Sequence, residues 1–589
     1  MLILAHVTHE AVDKLGGIGA VLDGLVTTPA YQKTVGRTLL VGPLFAREGD
    51  PKTRLGRKGR VLYSSLDRYD SGGWAGRFRP IELAFNVGIV YGRRTIEDPI
   101  TLDSVEVEAL LLDISEINPA RVNAFKARLF TRFDLHSMPH EGIWDFEQYT
   151  RIAEPGYYAI QALMHSPEDQ VVVISHEYMG VPLALATVME GDKRFATMYH
   201  AHETPVIRKI VEEHPGHDTG FYNVLAHAER HGLTLDQTYG PQSYFKHALV
   251  QQARHLGVVM AVGDTVEREF RFIDKRFDEK QVRLAFNGIP ARRATVAEIM
   301  ASKKLLKDYT SAMLGFRPDF VMTHVTRPVI SKGLWRDMLV AHHLEPLLAA
   351  EGKTAVFYIL TSGGGTRREH DVQRMEAEYG WPVNHRDGYP DLVGPEIGIA
   401  EECFKFNRRH AAIKAVLVNQ FGWNREACGL RMPAEMSFLD LRRGADVEMG
   451  QSIYEPFGIS QLEALCFGAV CVVSSACGCL GLYRAAAGGK SHDNVLVTDY
   501  VTLDEPAEHL DLARLMRIGQ AERDKVEVRV AGNAARELFR RLPRDEKSLA
   551  KLLETGYALA SKMDWAAVFR DYFHPAMKQA QARAGVAAR

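Results

Sequence analysis

Apolar runs of strand length alternate with helical stretches along almost the whole chain, and they fall into two series. The first comprises residues 1–7, 38–41, 105–112, 171–175, 196–199 and 258–262; the second comprises 320–324, 354–360, 415–418, 445–447, 469–473 and 494–497. Short apolar runs joined through helices belong to parallel sheets covered by helices. Between the series stands Asn287-Gly288-Ile289-Pro290, a loop signal, followed by a charged helical stretch over 295–314. The pattern predicts an α/β protein with two Rossmann-like halves, residues 1–290 and 317–555. A hinge segment, 291–316, joins them, and a helical segment with aromatic anchors, 556–589, follows. Ligands of such sheets bind beyond the carboxyl ends of the strands, so the expected site is the cleft between the halves.

At 589 residues the chain is too long for one hydrophobic core. Its 72 basic and 74 acidic residues give a net charge of −2, so no global field favours nucleic acid or an anionic membrane. Residues 1–7 are apolar but only a strand long, without a basic leader, and no run is long enough to span a membrane. The six cysteines are Cys403, Cys428, Cys466, Cys471, Cys477 and Cys479. Cys466 and Cys471 fall in a predicted buried helix and strand, and Cys477-Gly-Cys479 is too tight for a zinc knuckle. They read as small buried hydrophobes in a reducing compartment, so a cytoplasmic location is expected.

The run Ser452-Ile-Tyr-Glu-Pro-Phe-Gly-Ile-Ser-Gln-Leu-Glu carries most of the chemistry. It sets Glu455 and Glu463 eight residues apart around a turn marked by Pro456 and Gly458. Leu462, Leu465 and Cys466 recur at helical spacing behind it, giving the predicted helix one apolar face. One acid before a helix and another within it can hold the hydroxyls of a sugar and of a ribose together. The helix dipole alone favours acids there, so it is the whole turn-helix-strand combination that points to function. Lys14-Leu15-Gly16-Gly17-Ile18-Gly19 follows the first strand, and its glycines let backbone N–H groups approach a diphosphate. Alone it reads as a tight turn, and it lacks the dinucleotide Gly-x-Gly-x-x-Gly. Arg327 and Lys332, ahead of Gly333, end the first strand of the second half and suit a pyrophosphate leaving group.

Further candidates close strands. Gly478, Cys479 and Leu480 lie in a small-residue loop able to donate N–H groups. Gly363-Gly364-Gly365 reads as a bordering loop or a plain turn, and Phe421 and Trp423 as base-stacking or core aromatics. His176 and His200 each end a strand, a place where histidine is often only structural. With His202 and Glu203 they make a conceivable metal cluster, but no His-x3-His or His-Glu-x-x-His occurs, and no metal is expected.

Taken together, these motifs resemble the retaining glycosyltransferases of the GT-B fold, and Tyr454-Glu455-Pro456-Phe457-Gly458 is most similar to the glycogen and starch synthases. The resemblance covers most of the chain in a mixture. Residues 231–239 look eukaryotic and archaeal, Gln461 looks bacterial, and Glu463 matches the eukaryotic and wider GT-B pattern. The resemblance implies two Rossmann-like domains facing across a deep cleft, with the C-terminal helix crossing back. It places Lys14, Gly16 and Gly17 on donor phosphate and sugar, His200 beside the anomeric carbon, and His176 in the family's His-Glu-aromatic turn. It further places Arg327 and Lys332 on the leaving diphosphate, Glu455 on the sugar, Glu463 on the ribose, and Gly478–Leu480 in the sugar-binding loop. The implied activity is transfer of glucose from ADP- or UDP-glucose to an α-1,4-glucan end, without cofactor or metal. Homo-oligomers are compatible with it. The alternatives are a trehalose, sucrose or cell-envelope glycoside synthase, or a non-catalytic glucan-binding relative.

Overall fold

The computed structural model describes residues 1–585 except Asp13, Leu15, Arg57 and Glu279; Leu15 of the glycine-rich run and 586–589 of the C-terminal segment thus lie outside the described residues. In the first half the strands are β1 (Leu2–Val7), β2 (Arg37–Pro43), β3 (Gly59–Ser64), β4 (Tyr69–Asp70), β5 (Gly88–Glu97), β6 (Ser104–Asp113), β7 (Gln170–His176), β8 (Phe195–Ala201), β9 (Val258–Ala261) and β10 (Val282–Leu284). They form one sheet in the order β10-β9-β8-β7-β1-β2-β6-β5-β3-β4. The second half carries β11 (Phe320–Val325), β12 (Ala355–Leu360), β13 (Ile413–Val418), β14 (Val447–Gly450), β15 (Val470–Ser474) and β16 (Val495–Thr498), in the order β13-β12-β11-β14-β15-β16. Every pair in this second sheet is parallel.

Both central strands follow from their composition. Leu-Ile-Leu-Ala-His-Val in β1 and Val-Cys-Val-Val-Ser in β15 are buried almost throughout, as parallel strands covered on both faces must be. The expectation of purely parallel sheets fails at one edge, where β3, β4 and β5 add antiparallel pairs to β6. Arg60, Arg93 and Arg94 interrupt the apolar character of β3 and β5, so these strands lack the signal that marks the others. Between the sheets, Thr295 accepts from the Glu298 N–H while the Glu298 carboxylate accepts from the Thr295 N–H. That capping box starts the helix Val296–Leu314, and Gly315, at φ 74°, ends it. The helix packs on the helix Phe438–Gly444 of the second half.

The last segment returns to the first half. The Ile289 N–H donates to Met563 O at 3.0 Å. Trp565 lies so close to Gly24 and Gly288 that an added Cβ would stand 1.9 Å and 2.6 Å from its indole. His574–Arg583 then runs beside β8 and β9.

Polar contacts hold the halves together. Arg336, fully buried, donates to both carboxylate oxygens of Asp218 (2.8 and 2.6 Å) and to Glu527 at 2.8 Å. Tyr454 of the second half accepts from the Thr204 N–H (2.9 Å) and donates to Glu269 at 3.0 Å, both in the first. No helix among the described residues is long and apolar enough to cross a membrane.

Candidate active site

The carboxyl ends of β1, β7 and β8 present a floor of histidines. His176 and His200 are paired in register on neighbouring strands, and His202 follows His200 by two residues. Strand periodicity therefore directs all three to one face of the sheet. His176 Nδ1 lies 2.8 Å from His202 Nε2, and His176 Nε2 lies 2.9 Å from His6 Nδ1. His6 Nε2 meets the Tyr31 hydroxyl at 3.0 Å. His200, only 2% exposed, packs against His202 and against Phe573 of the returning segment, and neither of its ring nitrogens has a hydrogen-bond partner. Burial, reinforced by the neighbouring rings, holds His176 and His200 well below the ordinary histidine value and takes His202 down to about 3. All are neutral imidazoles.

The second half supplies charge. Lys332, just before Gly333, is ion-paired with the Glu455 carboxylate. That carboxylate also accepts from Gln461 Nε2 at 3.1 Å. Burial works against the Glu455 charge, but Lys332, Gln461 and Arg327 outweigh it and hold the carboxyl below its usual value. Arg327 is exposed, its guanidinium has no hydrogen-bond or ion-pair partner among the described residues, and it acts electrostatically on both Glu455 and His9 of the opposite half. Glu463 ends a single short turn of helix, Ser460–Glu463, that runs into the 3-10 turn Ala464–Phe467. Its carboxylate lies 3.3 Å from buried Arg442, which also pairs with Glu448 at 2.8 Å. Glu455 precedes that helix by five residues and is bridged to Cys477 instead.

In this structure several of the expected donor groups are engaged within the chain. The N–H groups of Gly478, Cys479 and Leu480 are already donated to Glu455 O (2.9 Å), Phe457 O (2.8 Å) and Cys477 O (3.2 Å). Cys479 and Leu480 are buried, and Gly478 sits against Pro456 O and Gly263 of the other half, so this loop is a packing element here. The N–H groups of Gly16 and Gly19 are held by Glu10 Oε2 at 2.9 and 3.0 Å, while Lys14 reaches Asp23 at 2.8 Å. Gly363 and Gly364 likewise donate to Glu396, at 2.6 and 3.1 Å. Trp423 is a core residue, edge-on to Tyr309 and Tyr358 with its indole N–H on Met436 Sδ; Phe421, half-exposed, is the aromatic left at the surface. Surface depressions of about 630 Å³ beside Arg254 and Arg276, and about 420 Å³ beside Trp144, contain none of the expected residues.

With two sheets and a returning helix around this seam, the architecture can be compared with known proteins. The chain matches the catalytic domain of starch synthase IV from Arabidopsis thaliana, solved with ADP and acarbose, at a TM-score of 0.53 and 12% identity over 99% of each chain. It matches a UDP-forming α,α-trehalose-phosphate synthase from Burkholderia vietnamiensis at a TM-score of 0.51 and 15% identity over 100% of each. The fold is GT-B. No protein-family model matches the sequence, and no curated protein matches it. In this architecture residues far apart in sequence, such as Arg327 and His9, come within electrostatic reach of each other across the seam.

The sequence reading missed His6, Glu10, Tyr454 and the Asp218–Arg336–Glu527 triad as parts of this region. A signal existed only for His6, a polar residue inside an otherwise apolar strand.

Proposed function

We propose that the chain is a retaining GT-B glycosyltransferase that moves glucose from a nucleoside diphosphate glucose to an α-1,4-glucan end. The observation that carries this reading is the unpartnered Arg327, poised between the halves with the Lys332–Glu455 pair behind it. An unpaired cation beside a second cation at the ends of parallel strands suits the charge that grows on a departing diphosphate. Glu455, kept ionised, accepts the donor sugar's hydroxyls; Glu463, oriented by Arg442, takes the ribose; and His200 positions the sugar near C1. The departing phosphate takes the acceptor hydroxyl's proton on the face it leaves, so configuration is retained without a protein base. The halves part to admit the donor and close to exclude water.

Two of these roles require displacement. Gly16 reaches donor phosphate only after Glu10 yields its N–H, and His200 reaches the sugar only when the seam opens. The test is a screen of ADP-, UDP- and GDP-glucose, read as released diphosphate with glycogen, with glucose 6-phosphate, or without acceptor. Glycogen-dependent release from ADP- or UDP-glucose is expected. Release driven by glucose 6-phosphate would move the acceptor to a phosphosugar, and no release with any donor would overturn the reading.

A further inference from the structure

We propose that His176, His200 and His202 bind one transition-metal cation of the zinc type at the carboxyl ends of β7 and β8. Each offers one ring nitrogen, and the three nitrogens lie within 4.8 Å of one another. His176 Nδ1 and His202 Nε2 are paired at 2.8 Å by a hydrogen bond, whose proton the ion would displace. Imidazole nitrogen is a usual zinc ligand, at about 2.0–2.1 Å.

A second, independent observation points to a ligand. His200 is buried with both nitrogens unpartnered, a condition that native interiors rarely leave unanswered. An ion on one nitrogen satisfies it and makes the other an N–H donor, so the sugar-positioning role proposed above remains available. The site does not depend on that role. The spacing also explains why helical metal motifs give no warning: the three ligands come from two adjacent strands rather than from one helix turn.

The outer contacts are those of a supported metal ligand. With the ion on His176 Nδ1, Nε2–H donates to His6 Nδ1, His6 Nε2–H donates to the Tyr31 hydroxyl, and that hydroxyl reaches Thr38 Oγ1 at 3.0 Å. A chain of this kind fixes the tautomer and ring orientation of the ligand. His6 is thus a positioning residue.

The experiment is Co²⁺ titration of the chelator-treated full chain, with equilibrium dialysis and visible spectra, followed by displacement with Zn²⁺. One Co²⁺ per chain is expected, with the ligand-field bands of a nitrogen-bound ion. His200→Ala and His202→Ala abolish both, whereas His6→Phe keeps the stoichiometry and weakens binding about 10–100-fold. X-ray absorption of the zinc-loaded wild type needs no variant and is expected to show imidazole nitrogen at about 2.0–2.1 Å. No retained Co²⁺ in the wild type, unchanged binding in folded His200→Ala, or an oxygen-only zinc shell would overturn the proposal. None of these readouts uses glycosyl transfer, so failure here and failure of the proposed activity are distinguishable.

Discussion

The two walls of the seam are built on opposite electrostatic principles. On the first half, burial drives the buried histidines and one buried acid toward their neutral forms: His176, His200 and His202 are pushed down, and Glu269 is pushed up to about 8. On the second half, Lys332, Gln461 and Arg327 together hold the Glu455 carboxyl below its usual value in spite of its burial. The difference teaches how one cleft can sort the ends of a donor. On the proposed reading, a diphosphate is met by charge from the second half only, while sugar hydroxyls face the imidazole rings of the first.

The comparison can be broken first at the bond that joins the walls. Arg336→Ala leaves Asp218 buried without its bidentate cation and Glu527 with only Arg523 at 3.6 Å, a loss expected to cost about 3–5 kcal/mol. Urea unfolding measures it, and a cost below about 1 kcal/mol would show the triad to be incidental. The charged wall is tested next. Arg327→Ala and Lys332→Ala are each expected to lower kcat/KM about a hundredfold, equivalent to roughly 3 kcal/mol. Only Lys332→Ala should also lose stability, because it strands Glu455 in the interior, whereas Arg327 is exposed. Near-normal turnover in both variants removes the diphosphate clamp.

The neutral wall is sharpened by pH. The Glu269 carboxyl binds its proton more tightly folded than unfolded, so the folded state carries the extra proton between about pH 4.5 and 8. Stability contributed by this group is therefore full at acid pH and falls as pH rises toward 8, with a slope of at most about 1.4 kcal/mol per unit, the value set by one whole proton. Glu269→Gln should flatten that slope in chemical denaturation at several pH values; an unchanged slope would assign it to another group. The smallest effect is expected from Tyr454→Phe, which removes a hydroxyl bonded to both Thr204 and Glu269. A loss of about 1 kcal/mol is expected, and less if water replaces it.

The sheets were legible because parallel strands advertise themselves: each run in the two series became a strand, within a few residues at either end. The antiparallel edge was not, since β3 and β5 carry arginines among their apolar residues, Arg60 and Arg93 facing solvent and Arg94 turned onto the Ala11 carbonyl. Within the site, residue types at strand ends were legible and their partners were not. Gly16 and Gly478 read as phosphate donors because sequence shows where N–H groups cluster, not which oxygens reach them first. Glu10 stands six residues before Gly16, and nothing in its neighbourhood marks it as the group that turns back onto the loop. Trp423 follows a strand as a ligand-stacking aromatic would, but Tyr309 and Tyr358, distant in sequence, enclose it.

Trp565 has a consequence for the order in which the molecule is made. Its ring fills space against Gly24 and Gly288, and Phe569, Phe573 and Met577 complete the apolar cover around the first sheet. The roughly 280 residues between Ile289 and these side chains take about 15–60 s to synthesise at about 5–20 residues per second. Throughout that interval the nascent first half exposes the apolar surface that only its own far end can cover. The half translated first is therefore sealed last, and premature termination anywhere in the second half leaves a sticky, unfinished first one.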